Sequence, residues 1–228
     1  MEPAVGDPPE YTVGSDEVPW VLGTQLNDSV GPVSRADEGS RVLMVEAHGF
    51  ARRKPYHTQK LTLVFSAMRR FRDRLEEKGY DVVYIKSESF PEGLEEFFER
   101  HPDSALVSMR SPSHGSAERF SEIVEEVGGD LRVVENELFV STRDAFDSWA
   151  EGTDSDPFRH ETFYRWMRRS SGFLMDGDEP EGGDWNYDGE NREFPPEGWE
   201  PPEKPDIEHA DVVEETAEWV EENFETWG

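Results

Sequence analysis

The sequence predicts an α/β fold, a Rossmann-like doubly wound parallel sheet of about five strands with helices on both faces. An irregular loop and a C-terminal helix follow the sheet domain. Two observations carry this prediction. Short apolar runs alternate with amphipathic helical patterns, and the connections between successive runs are long enough for crossover helices. A length of 228 residues suits one such domain plus extensions.

The individual elements follow from the period of the apolar residues. Apolar runs of strand length occupy residues 18–26, 41–48, 82–85, 105–109 and 131–135. Periods of three and four residues predict helices over residues 57–78, 94–100, from Ser116 onward, and 139–149. Ser141 or Thr142 is the expected N-cap of the last of these. Parallel strands of this kind bind ligands beyond their carboxyl ends.

Composition shifts divide the chain into four parts. Residues 1–17 form an acidic leader rich in Pro and Gly, which we expect to be disordered and which lacks signal-peptide features. Residues 18–160 hold the α/β domain, 161–210 hold a loop and a Pro-rich linker, and 211–228 hold a helix. The helix at 211–228 carries an apolar stripe of Val213, Ala217, Val220 and Phe224. If the chain is a fragment, this stripe should be unpacked, and if the chain is an independent module, the stripe should be buried.

The net charge of −29 excludes or disfavours several classes of function. Such a field repels nucleic-acid phosphates in ordinary buffer. In molar salt the Debye length falls to about 3 Å, so local contacts decide instead. The surface is typical of a salt-adapted, halophilic protein. The absence of cysteine excludes disulfides and a Cys-ligated cluster within this chain. We expect a cytoplasmic location and no membrane contact, because no apolar run approaches about 20 residues.

Two candidate sites arise from the residues of the α/β domain. Glu46 ends a central strand among apolar neighbours, where it can bind the ring or ribose of a ligand. Alternatively it caps a helix or pairs with a cation of residues 52–54. His57 and Lys60, at the start of the long helix, either meet an anion or are solvated. The phosphate-binding signatures G-x-G-x-x-G and the P-loop do not occur.

The stretch 163–192 lies between two helical patterns and carries a dense basic and aromatic cluster, with Arg165, Arg168 and Arg169 beside Phe163, Tyr164 and Trp166. Such a cluster can face nucleic acid, through phosphate contacts and base stacking. Alternatively it forms internal ion pairs with the acidic loop after it. A calcium loop is excluded, because Pro195 stands where a bidentate Glu is required. No metal site is predicted.

Two blocks of residues resemble the prokaryotic photolyase/cryptochrome family that carries an iron-sulfur cluster, whose members include bacterial (6-4) photolyases. The resemblance spans nearly the whole chain beyond the leader. The first block comprises Leu22, Gly23, Gln25, Leu26, Glu46, His57, Lys60, the run 65–69 and Phe71. The second block is more specific and comprises the runs 163–165 and 167–169, Gly172, Leu174, Met175, Gly177, Pro180, Gly182, Gly183, Trp185, Asn186, Asp188 and the run 190–192.

This resemblance implies an N-terminal antenna domain, an interdomain loop and the first helix of a helical FAD domain. FAD and the iron-sulfur cluster would then lie in a C-terminal domain missing from this chain. The whole protein would be a DNA photolyase-like lyase or a cryptochrome-like blue-light sensor, with DNA as partner. This chain alone would be inactive and would hold no catalytic residue. The resemblance places Asp188, Asn191 and Arg192 in a loop that faces flavin and DNA.

The resemblance also implies an antenna pocket at the strand ends, which holds a ribityllumazine in characterised relatives. Departures at Thr24, Phe50 and Arg53 argue against lumazine here. The predicted cofactor-binding residues are Gly23, Thr24, Gln25, Leu26, Glu46, Phe50 and Phe65. The alternative function is a stand-alone α/β module that binds a ligand or partner without photochemistry. A third, an unrelated nucleotide-binding enzyme, lacks the phosphate signatures.

Overall fold

The structure is a computed structural model that describes residues 9–153, 157–190 and 192–228. Two compact units make up the described chain. The α/β unit contains Pro9–Leu138 and His209–Gly228, and the loop unit contains the described part of Phe139–Glu208. These boundaries differ from the expected ones, since residues 139–160 join the loop unit and the C-terminal helix joins the α/β unit.

The predicted elements of the first 150 residues are all present, with ends shifted by a few positions. The strands are β1 Glu17–Val21, β2 Arg41–Ala47, β3 Tyr56–His57, β4 Asp81–Ser87, β5 Ala105–Met109, β6 Leu131–Val134, β7 Met175–Asp176, β8 Glu179–Pro180 and β9 Thr226–Trp227. The helices are α1 His48–Ala51, α2 Thr58–Glu77, α3 Phe90–Arg100, α4 Ser116–Glu126, α5 Arg143–Gly152, α6 His160–Ser171 and α7 Asp211–Asn223. Two 3-10 turns span Pro32–Arg35 and Asp188–Glu190.

Five parallel strands form the central sheet in the order β4-β2-β1-β5-β6. The chain first builds outward from β1 to β4 and then returns to add β5 and β6 on the other side. This order confirms the predicted doubly wound, Rossmann-like sheet. Its topological switch point lies between β1 and β5, where open α/β sheets bind ligands beyond the carboxyl ends of the strands.

Alternating side chains of the central strands lie in two apolar cores, one on each face of the sheet. In β2, Val42 and Met44 face the core under α2, whereas Leu43 and Val45 face the core under α3 and α4. Thr142 caps α5 as predicted, by accepting the Ala145 N–H at 3.1 Å. No described helix is both long and apolar enough to cross a membrane.

The part of the predicted leader that the structure describes belongs to the α/β unit. Tyr11 and Val13 pack against the core residues around Val107. The Tyr11 hydroxyl donates to Glu137 at 3.0 Å, and the Arg35 guanidinium lies 4.2 Å from the Tyr11 ring centroid. Tyr11 and Val13 therefore hold this segment to the core, whereas residues 14–16 are exposed. Residues 1–8 lie outside the described part of the chain.

The C-terminal helix α7 packs against α2 within the α/β unit. Val220 and Phe224 are buried, and Val213 and Ala217 are half-buried. Beyond the helix, β9 pairs in parallel with β3. The apolar stripe therefore has a partner in its own unit, as expected of an independent module and unlike the unpacked stripe expected of a fragment. The stripe is covered because Phe65 of α2 stacks on Phe224 within the same apolar core.

Candidate functional site

In the loop after β1, the side chain of Gln25 bridges the switch point of the sheet. Gln25 is 2% exposed, and its Nε2 donates to the Met109 carbonyl oxygen at 2.8 Å. This bond joins the carboxyl ends of β1 and β5. Thr24 is exposed and Leu26 is half-buried on either side of Gln25. Strand β1 stops at Val21, earlier than predicted, because the chain turns after Leu22, where the Gln25 N–H donates to the Leu22 carbonyl oxygen at 2.8 Å.

Gly23 lets this loop pass close to α2. A Cβ at this position would lie 2.9 Å from the Met68 Sδ atom. Only glycine reaches this distance without displacing the methionine. Gly23 and Gln25, which the resemblance predicted to bind a cofactor, both have packing roles in this loop, and their cofactor role stays a prediction.

Glu46 is fully buried at the end of β2, and three side chains hold its carboxylate. Arg69 of α2 donates through Nε at 3.1 Å and through Nη2 at 2.9 Å. His48 Nε2 donates at 2.9 Å, and the Tyr84 hydroxyl donates as well. Burial by itself would raise the pKa of Glu46, but the hydrogen bonds from His48, Arg69 and Tyr84 outweigh it and lower the pKa to about 2. Glu46 is therefore ionised at neutral pH.

The cations predicted as alternative partners of Glu46 are engaged elsewhere. Arg52 pairs with Glu88. The Arg53 guanidinium lies 5.1 Å from the Phe50 ring centroid, and Lys54 lies over an aromatic ring. Glu46 does form an ion pair, as the alternative prediction stated, but its partner Arg69 comes from α2 and not from residues 52–54. Sequence reasoning missed Arg69 because this residue sits inside an apolar helical pattern.

The start of α2 is capped by His57, which the sequence predicted either to meet an anion or to be solvated. His57 Nδ1 accepts the Gln59 N–H at 3.2 Å, which satisfies one free donor of the first turn. The Lys60 ammonium lies 5.0 Å from the Tyr56 ring centroid and is exposed. His57 therefore acts as a helix cap, and Lys60 lies at the surface.

Helix α7 covers both Glu46 and Phe65. Arg69 Nη1 donates to the Thr216 hydroxyl at 3.1 Å, and the Arg69 guanidinium lies 4.4 Å from the Trp219 ring centroid. Phe65, 4% exposed, stacks on Phe224 with ring centroids 5.6 Å apart. These contacts leave Glu46 and Phe65 almost without exposed surface.

The predicted cofactor-binding residues consequently have three different environments. Glu46 and Phe65 lie beneath α7, Gln25 bridges two strands, and Thr24 and Phe50 are exposed. The structure does not bring them together as the lining of one cavity. A cleft of about 580 Å³ lies beside α2, and of the predicted residues only Leu26 contributes to its described lining.

In the loop unit, three arginines of α6 surround one tryptophan. The guanidinium carbons of Arg165, Arg168 and Arg169 lie 5.3, 5.4 and 4.6 Å from the Trp185 ring centroid. Arg168 is buried and donates to the Tyr164 hydroxyl at 3.1 Å. Within the described residues, cation–π contacts to Trp185 hold the cluster, and the predicted ion pairs with the following loop do not form. Its signal in the sequence is the spacing of the arginines, which places them on one face of a helix.

The helix α6 occupies the first nine residues of the 163–192 stretch, and the loop after it folds back onto the arginines. Arg168 also donates to the Leu174 carbonyl oxygen. Arg165 pairs with Glu161 of its own helix at 2.8 Å. Gly182 adopts a φ of +84°, a backbone conformation that favours glycine. The specific residues of this stretch therefore build one compact turn against α6.

A cleft of about 610 Å³ lies between α6 and this turn. Tyr164, Arg168, Trp185 and Asp188 are among its lining residues. Asp188 is exposed, and its N–H donates to Asn186 Oδ1 at 3.4 Å. The lining offers aromatic faces, a cation and a carboxylate, which together can stack on and hydrogen-bond a planar polar ligand.

The three loop residues predicted to face flavin and DNA have unequal support in the structure. Asp188 lines the cleft, and Arg192 is exposed. Asn191 lies outside the described residues. The structure thus places one of these residues at a cleft and leaves the roles of all three as predictions.

Comparison with known proteins relates both units to one family. A family model described as deoxyribodipyrimidine photo-lyase-related protein matches residues 19–228. The (6-4) photolyase of Agrobacterium fabrum is 31% identical over 201 residues, which cover 82% of this chain and 36% of that protein. An uncharacterized protein of Acanthamoeba polyphaga mimivirus is 28% identical over 145 residues, which cover 62% of this chain and 74% of that protein. The alignment thus spans about a third of the photolyase. The family match covers the sheet from Pro19 onward, the turn that packs Trp185 against the arginines of α6, and α7. The chain belongs to the deoxyribodipyrimidine photo-lyase-related protein family.

Proposed function

We propose that this chain supplies the N-terminal antenna-type unit and the interdomain loop of a photolyase-like or cryptochrome-like flavoprotein. The whole protein would perform light-driven DNA repair or sense blue light. One observation carries the proposal: the family match runs through both units, while the aligned photolyase continues far beyond the matched part. The flavin and an iron-sulfur cluster would belong to that further part, because this chain has no cysteine to ligate a cluster.

Bound FAD would supply light absorption and electron transfer, and the residues of this chain would position the partners. Arg168 buries its charge against Trp185 and Tyr164 and so fixes the turn that carries Asp188. Arg192, exposed beyond this turn, offers a cation to a phosphate, and Asp188 offers an acceptor to a base or to the flavin ring. None of these residues is catalytic in the chain alone.

Two further features belong to this proposal. An antenna chromophore of the ribityllumazine type at the strand ends would require α7 to move away from Glu46 and Phe65. The charge of −29 supports a salt-adapted protein, in which DNA contact at Arg192 depends on local geometry rather than on the overall field. Binding assays for this chain therefore belong in molar KCl.

The alternative function is a stand-alone α/β module without photochemistry. The packing of α7 against α2 favours it, because the apolar stripe is satisfied within the unit. A ligand- or partner-binding role would then use the cleft beside α6 or the surface of the α/β unit.

A chimera tests the proposal. Residues 19–228 would replace the aligned segment of the Agrobacterium fabrum (6-4) photolyase. We expect the chimera to keep bound flavin, measured by absorption, and to remove (6-4) lesions from an oligonucleotide in blue light. The unfused chain should remove none, since it lacks the flavin-binding part. A chimera that folds and keeps flavin but repairs nothing would favour the stand-alone module, and repair by the unfused chain would contradict the proposal outright.

A further inference from the structure

We propose that residues 193–203 of the Pro-rich linker form a docking segment, which binds the exposed face of α2 in a second copy of this chain. The exposed face of α2 comprises Lys60, Leu63, Val64 and Ala67. Two copies would each dock their segment on the other, so a dimer would hold two equal contacts. The inference goes beyond the proposed function, and its failure would leave the proposed function standing.

The exposed face of α2 is apolar at its centre. Leu63 and Val64 are 68% and 37% exposed, although the same helix buries Phe65 in the core. Residues three and four positions apart lie side by side on a helix, so Lys60 and Ala67 extend the same stripe. Contiguous exposed apolar side chains of this kind mark interaction sites on proteins.

The surroundings of this face are cationic in an otherwise acidic protein. Residues 47–72 contain neither Asp nor Glu, although the chain has 52 of these residues. The ammonium groups of Lys54 and Lys60 each lie 5.0 Å from the Tyr56 ring centroid, and neither forms an ion pair within the described part of the chain. Contact between two copies of this face would bring like charges together. The partner of the face should therefore carry carboxylates as well as apolar side chains.

The docking segment has this chemistry. Phe194 is 95% exposed, the largest exposed fraction among the large hydrophobic side chains of the described residues, and Trp199 is 56% exposed. Four glutamates accompany the two rings: Glu193, Glu197, Glu200 and Glu203. The segment contains no Lys or Arg. Its rings and carboxylates therefore match the apolar centre and the cations of the α2 face.

Proline residues and a turn restrict the shape of the docking segment before it binds. The Trp199 N–H donates to the Pro196 carbonyl oxygen at 3.0 Å, and Gly198 adopts a φ of +82° within this turn. Two proline pairs, residues 195–196 and 201–202, hold their own φ angles near about −65°. A segment restricted in this way loses little conformational entropy on binding. Pro-rich segments bind grooves on other proteins for this reason.

A depression lies next to the exposed face of α2. Ala67 also lines the cleft of about 580 Å³, together with the apolar residues Leu26, Phe71 and Val212 and with charged residues of α2. The five residues from Phe194 to Trp199 span at most about 18 Å, and the stripe from Lys60 to Ala67 is about 10 Å long. One ring of the docking segment can therefore lie on Leu63 and Val64 while the other enters the cleft.

The oligomeric state in solution tests this docking. Sedimentation velocity of the purified chain in molar KCl should show a monomer–dimer equilibrium, with dimers present at about 100 μM protein. The linker variant carries Phe194→Ser and Trp199→Ser, and the face variant carries Leu63→Ser. All three side chains are exposed, so both variants should fold. We expect each variant to dimerise at least about tenfold more weakly than the unmodified chain.

A mixture of the two variants identifies which surfaces meet. In a mixed pair, the intact docking segment of the face variant can bind the intact α2 face of the linker variant, so one of the two contacts forms. The mixture should therefore associate at least about threefold more tightly than either variant alone. Contact of segment with segment, or of face with face, would give no such recovery, and that result would overturn the proposal.

Phe139→Ser is the matched control, because Phe139 is 56% exposed, as Trp199 is, and belongs to neither surface. It should dimerise as the unmodified chain does. An unmodified chain that stays monomeric at about 100 μM would overturn the proposal, because the two surfaces would then not bind each other. Dimers that persist unchanged in both variants would overturn it as well.

Discussion

Replacing Arg69 by methionine should destabilise the α/β unit by about 3–5 kcal/mol, the usual cost of removing one partner of a buried ion pair. Glu46 is fully buried, and Arg69 provides two of the hydrogen bonds to its carboxylate. Without the guanidinium, an ionised carboxylate remains in the core beside His48 and Tyr84 alone. The free energy of unfolding, measured with urea in molar KCl, is the quantity to compare.

Arg70→Met is the control for this prediction. Arg70 follows on the same helix but is exposed, so its replacement should change the free energy of unfolding by no more than about 0.5 kcal/mol. The double variant Arg69→Met/Glu46→Gln should recover part of the loss, because it also removes the buried charge. If Arg69→Met cost no more than Arg70→Met, Glu46 would not depend on Arg69 as the structure indicates.

Acid should remove about 3 kcal/mol of stability through Glu46 alone. Its pKa falls from 4.5 in the unfolded chain to about 2 in the folded protein, where hydrogen bonds from His48, Arg69 and Tyr84 overcome the opposing effect of burial. A depressed pKa stabilises the fold above the unfolded value. This contribution is therefore complete above pH 4.5 and disappears as the pH falls towards 2.

The measurement is the pH dependence of the free energy of unfolding, compared between the unmodified chain and Glu46→Gln. Glu17 and Asp28 also have lowered pKa values, chiefly through hydrogen bonds from Arg132 and Lys78, so both proteins should lose stability in acid. The unmodified chain should lose about 3 kcal/mol more than the variant. Parallel profiles would show that Glu46 is not held ionised by its partners.

The sequence predicted the strands and helices of the α/β unit well, because apolar residues recur with different periods in strands and in helices. Strands such as β2 are continuous apolar runs, whereas the apolar residues of helices such as α2 recur every three or four positions. Gly23 interrupts the apolar run 18–26, but strand β1 ends two residues earlier, at Val21. The strand order could not be predicted, since it depends on which apolar faces meet, and the local period carries no such information.

The candidate sites were predicted only in part, because a local sequence pattern carries no information about contacts between residues far apart in the chain. Glu46 stood out as a single charge at the end of an apolar strand, but its partner Arg69 was hidden within the pattern of α2. The role of Trp185 depends on a turn that folds back onto α6, which the arginine spacing did not reveal. The apolar stripe of α7 could be read from the sequence. Its packing against Phe65 could not, because this contact joins residues far apart in the chain.

We propose that this chain contributes the lesion-facing loop of a light-driven photolyase-like protein. The most direct test is the rate of light-dependent (6-4) lesion loss in the chimera, with and without Arg192→Ala. We predict a rate about tenfold lower for Arg192→Ala, equivalent to one charged contact, with unchanged flavin absorption. Arg119→Ala, at an exposed arginine of α4, should leave the rate unchanged. Equal rates for the chimera with and without Arg192→Ala would contradict the claim.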